Sequence, residues 1–213
     1  MIDASKPKES PEPNDLYSIV TEEERKDWKS SLKGTQEGKV YIIPSIQLDL
    51  INMKEDEEIT TWLLNLVTKE ANSKIDFASG YLNPSKSIFD SLTNSSCKTS
   101  ILTASPQANG FYWAGLIKKY IPKFYWHIEY KLLKNSSLNE IFEYKWEGWT
   151  FHAKGIWIYD KIDEGQNPFI TVIGSSNYSN RSYWRDSECN LFIYSECEGF
   201  NEWMKMEADY LFH

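Results

Sequence analysis

The 213-residue sequence predicts an α/β fold. Strand-like and helix-like segments alternate through the middle of the chain at the spacing of an α/β layer. Two strongly apolar segments, at residues 149–159 and 169–173, then supply further strands for the sheet. A hydrophobic content of 41% over this length is enough for one substantial core.

The order of the elements follows from apolar spacing and from turn residues. The sequence predicts strands at 40–43, 75–81, 100–104, 149–159 and 169–173, and helices at 55–69, 84–92, 111–120 and 200–212. Pro44 is expected to end the first strand, and Pro122 the third helix. The region 124–146 is ambiguous.

Two of these helices have a recognisable apolar stripe. In the helix at 55–69 the stripe consists of Ile59, Trp62, Leu63, Leu66 and Val67. The acidic run at 55–58 suits the positive N-terminal end of this helix and is expected to be solvated. In the last helix, Trp203, Met206 and Tyr210 fall on one side.

Residues 1–36 are predicted to be a flexible acidic leader, and residues 37–213 a single domain. The leader has three of the eight prolines, many charges and few large apolar groups, so it buries too little to offset chain entropy. Thr21 to Glu24 have capping-box spacing, which predicts a short helix to Leu32.

Composition excludes several classes of function. A net charge of −8 disfavours nonspecific binding to nucleic-acid phosphates, which needs clustered Lys and Arg. Three cysteines without a CxxC pair give no support to a zinc site or a disulfide framework. The sequence has no run of 18 apolar residues and no visible secretory or mitochondrial presequence, so any membrane contact is expected to be peripheral.

The candidate chemistry begins with the His-x-Lys segment at His152 and Lys154. On an extended strand these side chains project to the same side, about 7 Å apart along the backbone. One phosphate can contact both. An imidazole can attack phosphorus or transfer a proton, and an ammonium stabilises charge on phosphoryl oxygens.

A second polar segment follows the next strand and complements this pair. Gly174 permits close backbone approach, and Ser175 and Asn177 can donate to phosphate oxygens. Arg181 is a candidate phosphate clamp, although a surface ion pair explains it equally well. Glu188 can accept a hydrogen bond from the far nitrogen of a histidine and so fix the tautomer of that imidazole.

This ordered set resembles one HKD half-site of the phospholipase D superfamily. The resemblance implies a phospholipase D-like half-domain with a mixed β-sheet flanked by helices. It assigns catalysis to His152, Lys154 and Glu188, and substrate binding to Gly174, Ser175, Asn177 and Arg181. No metal or organic cofactor is required, because lysines neutralise the phosphate charge that a metal ion would otherwise neutralise.

A longer stretch resembles the C-terminal half of the eukaryotic phosphatidylglycerophosphate synthases. The segments that carry this resemblance are Tyr81-Leu-Asn83, the loop 102–112, Tyr120-Ile-Pro122, Trp126-His-Ile-Glu129 and 148–155. The resemblance implies transfer of a phosphatidyl group from CDP-diacylglycerol to glycerol 3-phosphate with release of CMP. It also implies a place in the cardiolipin pathway of the mitochondrion.

Two departures from the superfamily pattern affect the expected mechanism. The Asp five positions after the Lys is replaced by Tyr159, with Asp160 one residue later. The complete site also uses two His-x-Lys half-sites, and this chain has one. By resemblance His152 is the acid and base of the second half-site, while the histidine of a missing half-site forms the phosphohistidine.

The source of a second half-site is open at the level of sequence. It can come from a second copy of the chain or from a separate N-terminal half; without either, the chain is catalytically incomplete. A homodimeric phosphodiesterase or nuclease is the alternative function, which the acidic charge disfavours. The aromatic clusters at 111–113, 124–126 and 146–149 are expected in the core, with a membrane surface as the alternative.

Overall fold

The computed structural model describes residues 37–110, 121–160 and 166–212. The leader, its helix at 21–32 and the helix at 111–120 lie outside the described residues. The described elements belong to one compact unit, Gly38–His213. In chain order they are β1 (Val40–Leu48), a 3₁₀ turn (Asp49–Ile51), β2 (Met53–Lys54), α1 (Glu55–Val67), β3 (Lys74–Ser79), α2 (Lys86–Thr93), β4 (Lys98–Ala104), α3 (Ile121–Asn135), β5 (Asn139–Tyr144), β6 (Lys154–Tyr159), β7 (Ile170–Gly174), α4 (Asn180–Trp184), β8 (Glu188–Ser195) and α5 (Glu198–Phe212).

The sheet has eight strands in the order β2-β1-β8-β7-β6-β3-β4-β5. Strands β3, β4 and β5 are parallel to one another, and the remaining pairs are antiparallel. The predicted mixed sheet with flanking helices is therefore confirmed.

Each face of the sheet carries its own hydrophobic core. On β3, Phe77 packs into the core that contains Leu64 of α1, Ile88 of α2 and Leu132 of α3. Its neighbour Ala78 belongs to the opposite core. That second core holds Trp157 and Ala208 of α5, so successive strand residues serve opposite faces.

Strand β1 continues beyond its predicted end. Pro44 pairs with Leu191 of β8, and the strand runs on to Leu48. On its other side β1 meets β2 only at Gln47 and Leu48, so Pro44 lies where β1 is an edge strand. A missing backbone N–H is tolerated on such an edge. Pro122 is the second residue in the described range of α3, and the helix at 111–120 that it was expected to end lies outside the described residues.

The buried side of α1 differs from the predicted stripe. Leu63 and Val67 are buried as expected, but Trp62 and Leu66 are exposed. The inward side begins instead at Asp56, which is fully buried, so the acidic run is not wholly solvated. The reason is a polar contact from Asp56 to β8, described below, which apolar periodicity cannot reveal. On α5, Met206 and Tyr210 face solvent.

The aromatic clusters within the described residues are not core, contrary to the main expectation. Phe124, Trp126, Trp146 and Trp149 are exposed by 64% to 69%. The buried aromatic residues that strands β3 to β8 contribute to the two cores are instead Phe77, Trp157, Tyr159 and Phe192. The cluster at 111–113 lies outside the described residues.

Candidate active site

The sheet register brings the sequence-predicted residues to one end of the central strands. Lys154, the first residue of β6, pairs with Ser79, the last residue of β3. Gly174, the last residue of β7, pairs with Asn190 near the start of β8. The loops before β6 and after β7 therefore emerge at the same end of the sheet, where Glu188 begins β8.

His152 and Lys154 form a contacting pair at this end. Nζ of Lys154 lies 3.1 Å from Nδ1 of His152 and donates to the backbone carbonyl of His152 at 2.8 Å. His152 precedes the strand, which begins at Lys154 rather than at residue 149. The side chains nevertheless share one side of the chain, as the spacing predicts.

The environment of the pair favours its uncharged forms. Partial burial, and then the ammonium of Lys154, lower the pKa of His152 below its usual range. Burial also lowers the pKa of Lys154, and the carboxylate of Glu188 opposes that shift. The lowered pKa favours the neutral imidazole, the form that accepts a proton.

Glu188 contacts Ser175 rather than His152, which corrects the predicted pairing. The hydroxyl of Ser175 donates to Oε2 of Glu188 at 2.5 Å, and the backbone N–H of Cys189 donates to the same hydroxyl at 3.0 Å. Strand β7 lies between β8 and β6, so Glu188 meets the loop after β7 before it can reach His152. Glu188 acts on the pair through its charge on Lys154.

Gly174 makes a closer contact than the one predicted for it. A side-chain carbon at this position would lie 2.0 Å from Oδ1 of Asn190 and 2.3 Å from the carbonyl oxygen of Cys189. The absence of a side chain is thus already required by the packing of β7 on β8. Ser176, two residues on, is buried, and its backbone N–H donates to Oδ1 of Asn190 at 3.4 Å. The loop after β7 therefore packs closely against β8 at this residue as well.

Asn177 reaches the pocket that contains His152. Its backbone is held on both sides: its N–H donates to Ser182 Oγ at 3.2 Å, and its carbonyl accepts from Ser79 Oγ at 3.3 Å. Its Oδ1 is buried without a hydrogen-bond partner. A bound ligand with a donor group would satisfy this oxygen.

The pocket has a volume of about 260 Å³. Its lining residues are Tyr81, Asn83, Tyr125, His152, Asn177, Ser179, Arg181, Ser182 and Asp186. The ring of Tyr81 meets the imidazole of His152 edge-on at 5.5 Å and the ring of Tyr125 at 6.2 Å. Arg181 lines the pocket, and its Nε pairs with Asp186 Oδ2 at 3.0 Å, so the predicted surface ion pair is present.

Sequence reasoning missed the aromatic side of this pocket. Tyr81 and Asn83 follow the end of β3. Their position directly after a strand was the one sequence feature that could have indicated that they lie at the end of the sheet, beside the site. Tyr125 lies in the region that was left ambiguous. Within the described residues, His152 is the one histidine that lines the pocket, and no cluster of His, Cys, Asp and Glu there is placed to bind a metal.

Comparison with known proteins places this geometry in a family. Residues 66–211 match the family model described as "Cardiolipin synthase, PLD-like domain". The "Probable CDP-diacylglycerol--glycerol-3-phosphate 3-phosphatidyltransferase" of Dictyostelium discoideum is 32% identical over 177 residues, which are 80% of this chain and 30% of that protein. The human mitochondrial protein of that enzyme name is 33% identical over 178 residues, 81% of this chain and 31% of the human protein. The chain thus spans about a third of the length of these relatives.

The solved structures agree on the fold. Phosphatidylserine synthase from Haemophilus influenzae superposes with a TM-score of 0.62 at 17% identity, covering 86% of this chain and 44% of the synthase. The resemblance to the eukaryotic phosphatidylglycerophosphate synthases is confirmed by the named relatives, and the family match spans more than half of the chain. The chain therefore belongs to the PLD-like domain family.

Proposed function

We propose that this chain supplies one histidine half-site of a phosphatidyltransferase that makes phosphatidylglycerophosphate from CDP-diacylglycerol and glycerol 3-phosphate, with release of CMP. The carrying observation is the 3.1 Å contact between His152 and Lys154 beside a pocket that also contains Asn177 and Arg181. The names of the relatives supply the substrates.

In the proposed reaction His152 handles protons at the transferred phosphorus. A histidine of the second half-site attacks the phosphatidyl phosphorus, the bond from phosphorus to the CMP oxygen breaks, and protonated His152 donates its proton to that oxygen, which leaves His152 neutral. Neutral His152 then takes the proton of a glycerol 3-phosphate hydroxyl, whose oxygen attacks the phosphorus and breaks its bond to the nitrogen of the second histidine. The lowered pKa of His152 suits the second, base step.

The remaining predicted residues have supporting roles in this proposal. Lys154 places positive charge beside the phosphoryl oxygens, and Glu188 stabilises that charge while holding Ser175. Asn177 and Arg181 bind substrate from the pocket wall. Gly174 lets the loop that carries Ser175 and Asn177 pack against β8.

The proposal requires a second half-site. A second copy of the chain or a separate N-terminal half can supply it. A mixing experiment separates the two: in a homodimer, equal amounts of wild-type and His152→Asn chains leave about a quarter of the pairs with two intact histidines. If a separate N-terminal half completes the site and is supplied in the assay, the mixture retains about half of the activity, because each chain then pairs with one such half.

The proposed location is the mitochondrion, in the cardiolipin pathway. The support is the mitochondrial designation of several relatives. Imaging of the tagged chain against a mitochondrial marker tests this. A signal elsewhere in the cell contradicts the location without affecting the chemistry.

The activity itself is tested by product formation. The purified chain is incubated with CDP-diacylglycerol and labelled glycerol 3-phosphate in mixed micelles, and CMP and labelled lipid are measured. We expect both products to fall about a hundredfold or more in His152→Asn and in Lys154→Gln. Lys86→Gln, which removes an exposed lysine of α2, is the matched control and should retain activity. CMP release that is indifferent to His152→Asn contradicts the proposal.

A further inference from the structure

One surface of helix α3 is aromatic and basic. From residue 126 to residue 134 its exposed side chains are Trp126, His127, Tyr130, Lys131, Leu133 and Lys134. We refer to these six residues as the α3 outer face. Trp126 is exposed by 65% and Tyr130 by 57%, and the ammonium of Lys134 lies 5.9 Å from the centre of the Tyr130 ring. Large apolar side chains of this kind are usually covered.

The charge of this face is opposite to that of the chain. The whole chain has a net charge of −8, yet the α3 outer face contains no acidic residue. The one acidic residue of the helix, Glu129, points inward and is 6% exposed. The face therefore complements a negatively charged surface, and its aromatic side chains suit the boundary between water and lipid.

The α3 outer face adjoins the mouth of the pocket. Tyr125, the residue before Trp126, lines the pocket together with His152. On the other segment that leads to the pocket, Trp146 and Trp149 are exposed by 67% and 64%, and Trp149 precedes His152 by three residues. Exposed aromatic side chains thus lie both on the segment that carries Tyr125 and on the segment that carries His152, and both of these residues line the pocket.

We propose that the α3 outer face, with Trp146 and Trp149, docks on an anionic lipid bilayer and holds the pocket at its surface. This inference rests on the proposed function, in which one substrate is an anionic lipid. No helix in the described part of the chain is long and apolar enough to cross a membrane. In the proposed arrangement α3 lies along the surface, with its outer face towards the lipid. The phosphate of the lipid then reaches His152 while its acyl chains stay in the bilayer.

Vesicle binding tests the surface without any need for catalysis. The purified chain is mixed with vesicles of phosphatidylcholine alone, or of phosphatidylcholine and phosphatidylglycerol in equal parts, and bound protein is measured by flotation. We expect binding to the anionic vesicles that weakens with added salt. Removing both charges in Lys131→Gln with Lys134→Gln should weaken it by about fivefold per lysine.

Tryptophan variants provide a matched comparison. Trp126→Ser should weaken binding to anionic vesicles roughly tenfold, since it removes an interfacial aromatic side chain. Trp62→Ser is the control, because Trp62 lies on α1 and is exposed by 64%, nearly the same fraction as Trp126. Trp62→Ser should bind as the wild type does.

Three results overturn the proposal: no binding of the wild-type chain to anionic vesicles, equal losses in Trp126→Ser and Trp62→Ser, or dimerisation in solution that Trp126→Ser abolishes. The last result assigns the face to a second copy. The two proposals fail separately. CMP release without vesicle binding rejects only the docking surface. Vesicle binding without CMP release, when a separate N-terminal half is also supplied, rejects only the proposed reaction.

Discussion

The carboxylate of Asp56 accepts a 2.7 Å hydrogen bond from Nδ2 of Asn190, which lies 134 residues later in the chain. Both side chains are fully buried. The contact joins the first turn of α1 to β8, two residues after Glu188. Ser45 of β1 donates to the same carboxylate oxygen at 3.2 Å, so the contact also ties in the neighbouring strand.

This hydrogen bond determines which way the Asn190 amide faces. With Nδ2 directed to Asp56, Oδ1 is left to accept from the N–H of Ser176 and to lie against Gly174. The loop that carries Ser175 and Asn177 is therefore oriented through a buried carboxylate that does not line the pocket. Asp56 is a positioning residue in this arrangement.

The first prediction concerns Asp56. Asp56→Ala leaves the Asn190 side-chain amide without its acceptor and removes one of the two acceptors of the Ser45 hydroxyl, so we expect a loss of about 1–3 kcal/mol in the free energy of unfolding, measured with urea. Asp56→Asn keeps an acceptor oxygen and should lose less. In NMR spectra Asp56→Ala should shift the amide signals of Ser176 and Asn177 more than Asp56→Asn does; equal shifts in the two variants would contradict a positioning role.

The second prediction concerns the charge beside His152. Lys154→Gln removes one of the two causes that lower the pKa of His152, so this pKa should rise towards its usual range. The imidazole proton signals of His152, followed by NMR as a function of pH, measure the change directly. Lys86→Gln on α2 is the control and should leave the titration curve in place. An unchanged curve in Lys154→Gln would mean that the 3.1 Å contact does not persist in solution.

Much of the site could be predicted because its residues are close in sequence and lie on consecutive antiparallel strands. Strands β6, β7 and β8 follow one another and pair as neighbours, so the loops that contain His152, Ser175 and Glu188 meet at one end. The order of these residues along the chain was therefore enough to predict that they lie close together. Only the partner of Glu188 was wrong, because β7 separates its strand from β6.

The parts that could not be predicted depend on contacts between distant segments. Tyr81 follows β3 and Tyr125 lies on α3, and their meeting at His152 requires the sheet order, which local periodicity does not encode. Asp56 was expected in water because acidic residues at a helix start are usually solvated. Its burial follows from Asn190, a partner at the other end of the chain.

The third prediction concerns Gly174. Gly174→Ala places a carbon 2.0 Å from Oδ1 of Asn190 and 2.3 Å from the backbone carbonyl of Cys189, so β7 and β8 must separate. We expect a loss of about 1–3 kcal/mol in the free energy of unfolding. Adding Asn190→Ala removes only the first of these clashes and also loses the hydrogen bond to Asp56, so the double variant should be less stable than Asn190→Ala alone. Equal stability of the double variant and Asn190→Ala would show that the carbonyl of Cys189 can move at little cost.

The fourth prediction is a pH dependence of stability that Glu129 causes. Burial, and then the nearby carboxylate of Glu143, raise the pKa of Glu129 from 4.5 to about 7. The folded state thus holds this proton more tightly than the unfolded state does. The stabilisation is complete below about pH 4.5 and is lost as pH rises through about 7, where the buried carboxyl must ionise.

Glu129→Gln removes this titration and keeps the shape of the side chain. At pH 8 the variant should be more stable than the wild type by at most a few kcal/mol, since one unit of pKa difference is worth about 1.4 kcal/mol. Below about pH 4.5 the difference should vanish. Urea unfolding at several pH values measures both, with Glu140→Gln, an exposed residue of β5, as the control. An increase in the free energy of unfolding that is the same at every pH would contradict this prediction. It would show that Glu129→Gln acts through packing, because only a titrating group makes the stability difference depend on pH.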